Sequence, residues 1–163
     1  MKKLFFAIIA ILSVLSASAQ EYGVVNVSVC NMRRSAAFEA EMVSQALLGT
    51  PVRILRDSEI GRPFPWPQIE TPDSYKGWVH YSVVTRMTRQ EFEEWNEAPK
   101  AVVTALQGVV YKKACTKSET VSDVVAGDRL KLLKKRGAWL KVEFPDGRRG
   151  FVQRKVAMVE REW

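Results

Sequence analysis

The chain repeats itself at a fixed distance, and this repeat limits the folds that it can adopt. Two segments, 66–79 and 139–152, share six residue types at a constant separation of 73 positions. The matching pairs are Trp66 and Trp139, Glu70 and Glu143, Pro72 and Pro145, Asp73 and Asp146, Gly77 and Gly150, and Val79 and Val152. Each copy has a strand pattern that begins at a Trp, a turn with Pro-Asp, and a second strand pattern entered through Gly. We therefore expect two β-hairpins of the same design. In the second, Asp146-Gly147 predicts a two-residue turn, because both residues tolerate positive φ.

The repeat continues towards the N-terminus with a separation of 78 positions. The additional pairs are Glu41 and Glu119, Val43 and Val121, Ser44 and Ser122, Gly49 and Gly127, and Leu55 and Leu133. The change in separation means that the first copy has five extra residues between Leu55 and Trp66. These residues are predicted to form a surface loop, because a sheet interior cannot accommodate an insertion. Each copy is then a small all-β unit of roughly 60 to 75 residues.

The first 19 residues have the pattern of a secretory signal peptide. Lys2 and Lys3 give a basic start, an apolar run from Leu4 to Leu15 follows, and Ala17-Ser18-Ala19 has small residues at the positions that signal peptidases require. The apolar run is short for a membrane span. We expect cleavage near Ala19, no stable membrane anchor, and a mature protein that is exported, periplasmic or secreted, in an oxidising compartment.

Charge is distributed unequally between the two copies. Residues 20–97 hold 8 Lys and Arg against 11 Asp and Glu, whereas residues 98–163 hold 15 against 7. A basic unit favours an anionic polymer as partner, for which nucleic acid is the usual interpretation. Export disfavours nucleic acid and favours carboxylate-bearing cell-wall material. The alternative is a solvated strand face with an excess of lysines.

Strand and loop patterns in the first copy follow from apolar alternation and proline. Residues 23–33 alternate Val with polar residues, which predicts a single half-buried strand. Residues 42–46 and 50–55 are predicted as two more strands, with a turn at Gly49-Thr50. Residues 63–67 contain three prolines and are predicted to form an exposed, polyproline-like loop rather than a central strand.

A helix is predicted between the two copies. Thr88 and Glu91 form a capping box, and Pro99 ends the helix after Ala98. Phe92 and Trp95 are three residues apart and therefore share one face. We expect the helix to act as a spacer that docks these two rings between the β units.

The chain lacks the groups that catalysis requires. His80 is the only histidine, and neither Cys30 nor Cys115 has a candidate base beside it in the sequence. One His and two distant Cys do not make a metal site, so we expect neither metal nor cofactor. The sequence does not decide whether Cys30 and Cys115 form a disulfide, because sequence spacing does not fix the distance between their Cα atoms.

Aromatic residues are the better functional candidates. They concentrate in the first hairpin and its insertion, where Phe64 adds to a set of Trp and Tyr residues. One Trp in each copy is expected in a core, and the additional rings predict a binding groove. The second copy has Arg154 where the first has Tyr81, so the groove belongs to the first copy. The predicted ligand-binding residues are Glu41, Trp66, Tyr75, Trp78 and Tyr81.

The Trp, Pro-Asp and Gly-Trp-Val segments resemble the bacterial SH3 domain. The order of signal peptide, barrel, the helix 89–95 and a second barrel with the segment 121–127 is similar to the N-terminal half of NlpC/p60-type cysteine peptidases, the γ-D-glutamyl-diaminoacid endopeptidases of peptidoglycan turnover. The resemblance implies an all-β fold of two tandem SH3-like small β-barrels joined by a short helix. The implied division is a signal peptide over 1–19, barrels over 20–87 and 99–163, and a linker helix over 88–98.

The resemblance also implies a function. In that family a catalytic domain with an Asp-Cys-Ser-Gly motif follows the barrels, and this motif does not occur in the chain. The family's first barrel recognises the amino end of the stem peptide through an acidic residue and a Tyr, and Glu41 and Tyr81 fit these two roles. We expect a non-enzymatic, exported module that binds peptidoglycan stem peptides or cell-wall fragments, alongside a separate cell-wall hydrolase. The alternatives are the N-terminal half of a truncated NlpC/p60-type endopeptidase and a module that binds Pro-rich protein segments.

Overall fold

Two β units and a helix make up the computed structural model, which describes residues 21–59 and 64–162. The predicted signal peptide and its cleavage site lie outside these residues. The strands of the first unit are β1 (Glu21–Val25), β2 (Val29–Arg33), β3 (Met42–Leu47), β4 (Pro51–Asp57), β5 (Pro67–Glu70), β6 (Lys76–Trp78) and β7 (Val84–Met87). Helix α1 (Arg89–Glu97) follows. The strands of the second unit are β8 (Lys100–Val103), β9 (Gln107–Tyr111), β10 (Thr120–Val125), β11 (Arg129–Arg136), β12 (Trp139–Glu143), β13 (Arg149–Gln153) and β14 (Ala157–Val159).

The two units have the same topology, which confirms the predicted tandem barrels. The first sheet has the strand order β3-β2-β6-β5-β4-β1-β7, and the second has the order β10-β9-β13-β12-β11-β8-β14. Adding seven to each strand number in the first order gives the second order. Neighbouring strands in the two sheets pair antiparallel, as expected for strands that are joined by short turns. The internal repeat in the sequence is therefore a repeat of fold.

The predicted single strand over residues 23–33 is wrong, because the chain turns a corner at residues 26–28. β1 pairs with β4 and β7, whereas β2 pairs with β3 and β6. Asn26 stabilises the corner, since its backbone N–H donates to the carbonyl oxygen of Val83 at 3.0 Å and its Nδ2 donates to Thr85 Oγ1 at 3.1 Å. The apolar alternation continues across the corner, and for this reason the pattern alone does not reveal the break.

The hairpin turns have three residues in each unit, not two. In the second unit, Phe144 and Arg148 close the turn with a bond from Phe144 N–H to the Arg148 carbonyl at 2.8 Å, and Gly147 has a φ of 85°. In the first unit, Thr71 and Tyr75 close the turn in the same way at 3.0 Å. Ser74 takes the place of Gly147 with a φ of 65°. Only the third turn residue needs positive φ. Proline occupies the first turn position, where the φ of about −65° that its ring imposes is the one required.

The prediction for the proline segment is partly wrong. Pro67 is buried and begins β5, which lies between β4 and β6 in the sheet. A proline is tolerated at the first position of a strand, where its missing N–H removes little from the ladder. The Pro67 carbonyl oxygen still accepts from Val79 N–H at 3.1 Å. The insertion before it is a loop as predicted over its described residues, and Ser58 and Trp66 close it with reciprocal hydrogen bonds of 2.8 and 2.9 Å.

Helix α1 spans Arg89–Glu97 and has the predicted capping box. Thr88 Oγ1 accepts from Glu91 N–H, and the Glu91 carboxylate accepts from Thr88 N–H at 2.8 Å. Phe92 packs on Tyr22 of β1 with ring centroids 4.7 Å apart. Trp95 is buried, and Lys100 of β8 lies over its ring. The helix therefore docks one ring on each unit. Within the described part of the chain, no helix has the length and apolar content to cross a membrane.

The two barrels share one buried side chain. The first core is formed by residues of its own unit, such as Val25, Met32 and Ile69. Leu48 belongs to the first unit but packs in the core of the second, with Leu130, Leu140 and Phe144 among its members. Leu48 also donates its backbone N–H to Asp128 Oδ1 at 3.2 Å. The units are thus connected by a core contact as well as by α1.

Candidate functional site

The outer face of the β5–β6 hairpin carries the predicted aromatic residues. Ile69, Gly77 and Val79 are buried and point towards the core. Because side chains alternate along a strand, their neighbours Gln68 and Trp78 point outwards. Gln68 and Trp78 are direct cross-strand partners. By the same alternation, Trp66 and His80, just beyond the two strands, lie on this outer face.

Five rings form what we call the aromatic cluster. Trp66 lies at its centre with His80, at an edge-to-face centroid distance of 5.4 Å. Phe38 contacts both rings, 4.9 Å from Trp66 and 5.3 Å from His80. Tyr81 lies 4.4 Å from His80 and stacks on Phe64 at 4.7 Å with an interplanar angle of 19°. The cluster is a continuous aromatic surface.

The outer rings of the aromatic cluster remain open to solvent. Phe38 is 61% exposed, Phe64 is 59% exposed and Tyr81 is 40% exposed. Isolated exposed rings are common on protein surfaces, but contiguous exposed apolar groups mark interaction sites. Aromatic rings bind both apolar groups and, for Tyr, hydrogen-bonding groups. The cluster has the composition of a surface that contacts a ligand.

Short, hydrogen-bonded segments position the rings. His80 caps the 3-10 turn Tyr81–Val83, since its Nδ1 accepts from Ser82 N–H and lies 2.7 Å from Ser82 Oγ. This turn orients His80 and Tyr81 side by side. Phe38 is carried by the loop between β2 and β3, and Phe64 by the five-residue insertion.

Sequence reasoning missed Phe38 and His80 as members of the site. Phe38 is in a polar loop, and His80 was considered only as a catalytic group. A signal was present, because the second copy has Thr116 and Gln153 at the equivalent positions. The two rings are therefore specific to the first copy, as Tyr81 is.

Trp78 lies on the same outer face, next to the aromatic cluster. The Arg56 guanidinium carbon is 5.3 Å from the centroid of the Trp78 ring, and Arg56 Nε donates to Gln68 Oε1 at 2.8 Å. This cation–π contact places the guanidinium over the indole. Trp78 is thus half-buried beneath a side chain that a ligand would have to displace.

Glu41 and Tyr75 lie around the loop that carries Phe38. Glu41 accepts from Arg34 Nε at 2.7 Å, and its backbone carbonyl accepts from Arg34 N–H at 2.9 Å. The hydrogen bond from Arg34 lowers the pKa of Glu41. The same hydrogen bond raises the pKa of Arg34, and the charges of Glu41 and Tyr75 make smaller contributions in the same direction. The second barrel has the same pair of bonds between Lys112 and Glu119. The bridge therefore closes the loop in both barrels, and a ligand ammonium at Glu41 would have to replace Arg34.

The equivalent face of the second barrel has far fewer rings. Trp139 corresponds to Trp66 and contacts Tyr111 edge to face at 5.9 Å. The position of Tyr81 is occupied by Arg154. The repeat has therefore preserved the hairpin and changed the surface that it presents.

The two cysteines lie in different surroundings. Both thiols are free in the structure. Cys30 is buried in the first core, and burial raises the pKa of its thiol to about 12, so the thiolate is not available at neutral pH. Cys115 is exposed in the 112–119 loop. In residues 21–59 and 64–162, no group of three or more His, Cys, Asp or Glu side chains is arranged to hold a metal ion.

Comparison with known proteins places the chain among small β-barrel modules found in larger proteins. A candidate N-acetylmuramoyl-L-alanine amidase of Bacillus subtilis (strain 168), YrvJ, is 24% identical over 148 residues, which cover 88% of this chain and 27% of the amidase. An NlpC/P60 family protein from Bacillus cereus ATCC 10987 superposes with a TM-score of 0.65 at 18% identity, over 85% of this chain and 56% of that protein. An NlpC/P60 endopeptidase from Photobacterium damselae subsp. piscicida gives a TM-score of 0.58 at 15% identity, over 85% and 33%. The chain spans about a quarter of the curated relative and about half of the first of these structures.

The family model of the bacterial SH3 domain matches the chain twice. The matches cover residues 27–85 and 108–156, one in each barrel. They include the loop with Phe38, the hairpin with Trp66 and Trp78, and the corresponding hairpin of the second barrel. With both barrels matched, the chain belongs to the bacterial SH3 domain family.

Proposed function

We propose that the chain is a non-catalytic, exported module that binds peptidoglycan stem peptides through the aromatic cluster of the first barrel. The observation that carries this proposal is the set of five rings, each of which contacts at least one other, with three of them substantially exposed. The proposed division is a signal peptide over 1–19, barrels over 20–87 and 99–163, and a linker helix over 88–98. A cell-wall hydrolase made separately is the proposed partner.

The relatives support a ligand from the cell wall. One is named as a candidate N-acetylmuramoyl-L-alanine amidase, and two structural neighbours are NlpC/P60 proteins. The similarity to these structures covers the two barrels, so it supports a shared recognition or targeting role rather than a shared reaction. The same relatives support a location at the cell wall or outside the cell.

The proposed site combines stacking surface with polar groups. Tyr81 offers a phenol at the edge of the cluster, and the neighbouring rings offer apolar area for the side chains of a peptide. Glu41 would pair with the ammonium of the peptide after exchanging Arg34 for it. Because the face is open on one side, affinity for a free peptide should be weak compared with an enclosed pocket.

A pull-down on purified peptidoglycan sacculi tests the proposal. We expect Phe38→Ala and Tyr81→Ala each to weaken retention by about tenfold, which corresponds to ~1.4 kcal/mol of binding free energy. The matched control is Leu106→Ala, because Leu106 is 86% exposed in the second barrel and outside the cluster. Retention of the two ring variants at the level of the unmodified chain, or no retention of the unmodified chain at low salt, would contradict the proposal.

The second candidate function is the recognition half of an NlpC/p60-type endopeptidase. It is favoured by the coverage of the structural matches, since this chain corresponds to 56% and 33% of the two NlpC/P60 proteins. Reading the gene beyond the codon of residue 163 separates the candidates. An in-frame Asp-Cys-Ser-Gly segment would support the peptidase, and an unrelated gene would support the stand-alone module.

A further inference from the structure

The second barrel carries a basic surface where the first barrel carries its aromatic residues. We call this surface the outer basic face. It lies on strands β11, β12 and β13, and its members are Lys134, Arg136, Trp139, Lys141 and Phe151. By the repeat, Lys134 corresponds to Arg56, Lys141 to Gln68 and Phe151 to Trp78. In the first barrel one cation, Arg56, is hydrogen-bonded to the neutral Gln68, whereas the second barrel has a cation at both positions.

Strand register brings the cations of the outer basic face together. Lys134 is the direct cross-strand partner of Lys141, and Arg136 is the partner of Trp139. Lys141 is also paired with Phe151 on the other side. Leu140 and Val152 are buried, so their neighbours in the strands point outwards.

A β-bulge decides which side chain faces Lys141. The register of β11 against β12 shifts between Leu132 and Lys134, so that Leu133 is the extra residue. Without this shift, Leu133 would lie opposite Lys141. A bulge re-aims the side chains that follow it, and bulges are frequent beside functional sites. The first barrel has the same shift between Ile54 and Arg56.

The pairing of Lys134 with Lys141 leaves two positive charges without compensation. Directly opposed residues have Cβ atoms about 5 Å apart, and like charges on directly opposed side chains are destabilising. Among the described residues, Lys134, Arg136 and Lys141 have no carboxylate within ion-pair distance. The acids described in residues 99–161 have other contacts. Glu119 bonds Lys112, Asp123 bonds Ser28, Asp128 bonds backbone N–H groups, Glu143 bonds Lys131 and Arg149, Asp146 bonds Arg148, and Glu160 bonds Arg129.

We propose that the outer basic face is a second binding site, which takes the carboxylates of a polycarboxylate polymer. The identity of this polymer as peptidoglycan rests on the function proposed above, in which the ligand is a peptide that carries carboxyl groups. One carboxylate accepts hydrogen bonds from both Lys134 and Lys141, and its negative charge relieves the repulsion between the two ammonium groups. Arg136 accommodates a second carboxylate through its planar fork. Trp139 and Phe151 contact the apolar part of the chain between the charges.

Two sites on one chain have a consequence for wall binding. The aromatic cluster and the outer basic face lie on equivalent hairpins of two connected barrels. A polymer with repeated stem peptides can contact both, and the second contact is then intramolecular. Because the cations are at the surface, binding at the outer basic face is screened by salt, whereas contact with the rings is not.

The test compares two double variants that remove the same charge. Lys134→Gln/Lys141→Gln changes the outer basic face, and Lys113→Gln/Lys117→Gln changes the exposed 112–119 loop of the same barrel. The probes are poly-glutamate in solution and sacculi, native or with their carboxyl groups amidated by carbodiimide. At low salt we expect the first variant to bind poly-glutamate and native sacculi about tenfold more weakly than the unmodified chain. The control variant should stay within about twofold of it. Amidation removes the carboxylates that the site would bind. The unmodified chain should therefore bind amidated sacculi as weakly as the first variant binds native sacculi.

Each other outcome counts against the proposal. Equal losses in the two variants would show a general charge effect, and undiminished binding of the first variant would remove the site. Stronger competition by inorganic polyphosphate or duplex DNA than by poly-glutamate, at equal charge, would overturn the carboxylate assignment. Because the double substitution removes a repulsive pair, the thermal unfolding midpoint of the first variant should be no lower than that of the unmodified chain. This measurement excludes misfolding as the cause of weaker binding. If sacculi retain no protein but poly-glutamate binding still depends on Lys134 and Lys141, the proposed wall binding fails and the carboxylate site remains.

Discussion

At the scale of single residues, Asp128 is a carboxyl group in an unusual environment. It is fully buried between the barrels, and its carboxylate accepts from Leu48 N–H at 3.2 Å and Val125 N–H at 2.8 Å. Burial raises its pKa to about 7, although the two N–H groups lower it, and the neighbouring charge of Asp123 adds to the increase. Asp128 therefore couples the contact between the barrels to protonation.

This coupling predicts a pH dependence of stability with a definite sign. The unfolded carboxyl titrates near 3.8 and the folded one near 7. Between these values the folded chain holds a proton that the unfolded chain has lost, so the free energy of unfolding should fall as pH rises from about 4 to about 7. We expect a loss on the order of 1–3 kcal/mol, measured by urea unfolding at pH 5 and pH 8.

Asp128→Asn provides the comparison, because it cannot ionise. Its free energy of unfolding should change less between pH 5 and pH 8 than that of the unmodified chain. An equal pH dependence in both proteins would show that another group is responsible.

At the scale of elements, the two hairpin turns have the same geometry and different residues. Gly147 and Ser74 occupy the same turn position with φ values of 85° and 65°. Positive φ costs a residue with a Cβ atom about 1–2 kcal/mol, which glycine avoids. The first turn has partial compensation, since Thr71 Oγ1 donates to Asp73 Oδ1 at 2.5 Å, a bond that also lowers the pKa of Asp73.

Reciprocal substitutions at this position test the turn. Gly147→Ala should lower the free energy of unfolding by about 1 kcal/mol, a cost of backbone conformation alone, because beyond its two chain neighbours no residue comes within 4 Å of the added Cβ. Ser74→Gly should raise it, by about 0.5 kcal/mol after the entropy of glycine in the unfolded chain is subtracted. Chemical denaturation of the two variants measures both changes, and effects of the same sign would contradict the assignment of the turn.

At the scale of the whole molecule, the barrels are joined by a close backbone contact. Leu48 enters the second core, and its carbonyl oxygen accepts from Arg129 N–H at 2.9 Å. A Cβ at Gly49 would lie 2.1 Å from the Arg129 carbonyl oxygen, so only glycine allows this approach. Arg148 Nη2 donates to the Asn26 carbonyl oxygen at 2.8 Å at another point of the interface. The two surfaces proposed to bind the wall are therefore held by a direct contact between the barrels and not only by the helix.

Leu48→Ala tests this connection. Loss of the side chain leaves a cavity in the second core, and we expect the free energy of unfolding to fall by about 2–4 kcal/mol. Hydrogen exchange should show the loss of protection in β11 and β12, although the substitution is in the first copy. Leu106→Ala is the control and should change stability by less than about 0.5 kcal/mol, since Leu106 is exposed. Loss of protection confined to the first barrel would contradict the shared core.

The sequence alone determined the repeated fold, because its signals are local. Apolar alternation, the Pro-Asp turns and the Thr88–Glu91 capping box depend on neighbours within a few residues, and they predicted two like barrels and α1 correctly. The same local signals placed Trp66, Trp78 and Tyr81 on one hairpin. They failed at the corner of residues 26–28, where alternation continues through a change of sheet partner.

Tertiary structure decided the surfaces and the connection between the barrels. Phe38 and His80 are 42 residues apart, and only the folding of the 34–41 loop over the β5–β6 hairpin brings their rings together. The apolar pattern around Leu48 does not show which core it enters, because its contacts come from residues of the second barrel that are more than 50 positions away. Lys134 faces Lys141 only because a bulge shifts the register by one residue. Side-chain contacts of this kind depend on packing between distant segments, which no local periodicity encodes.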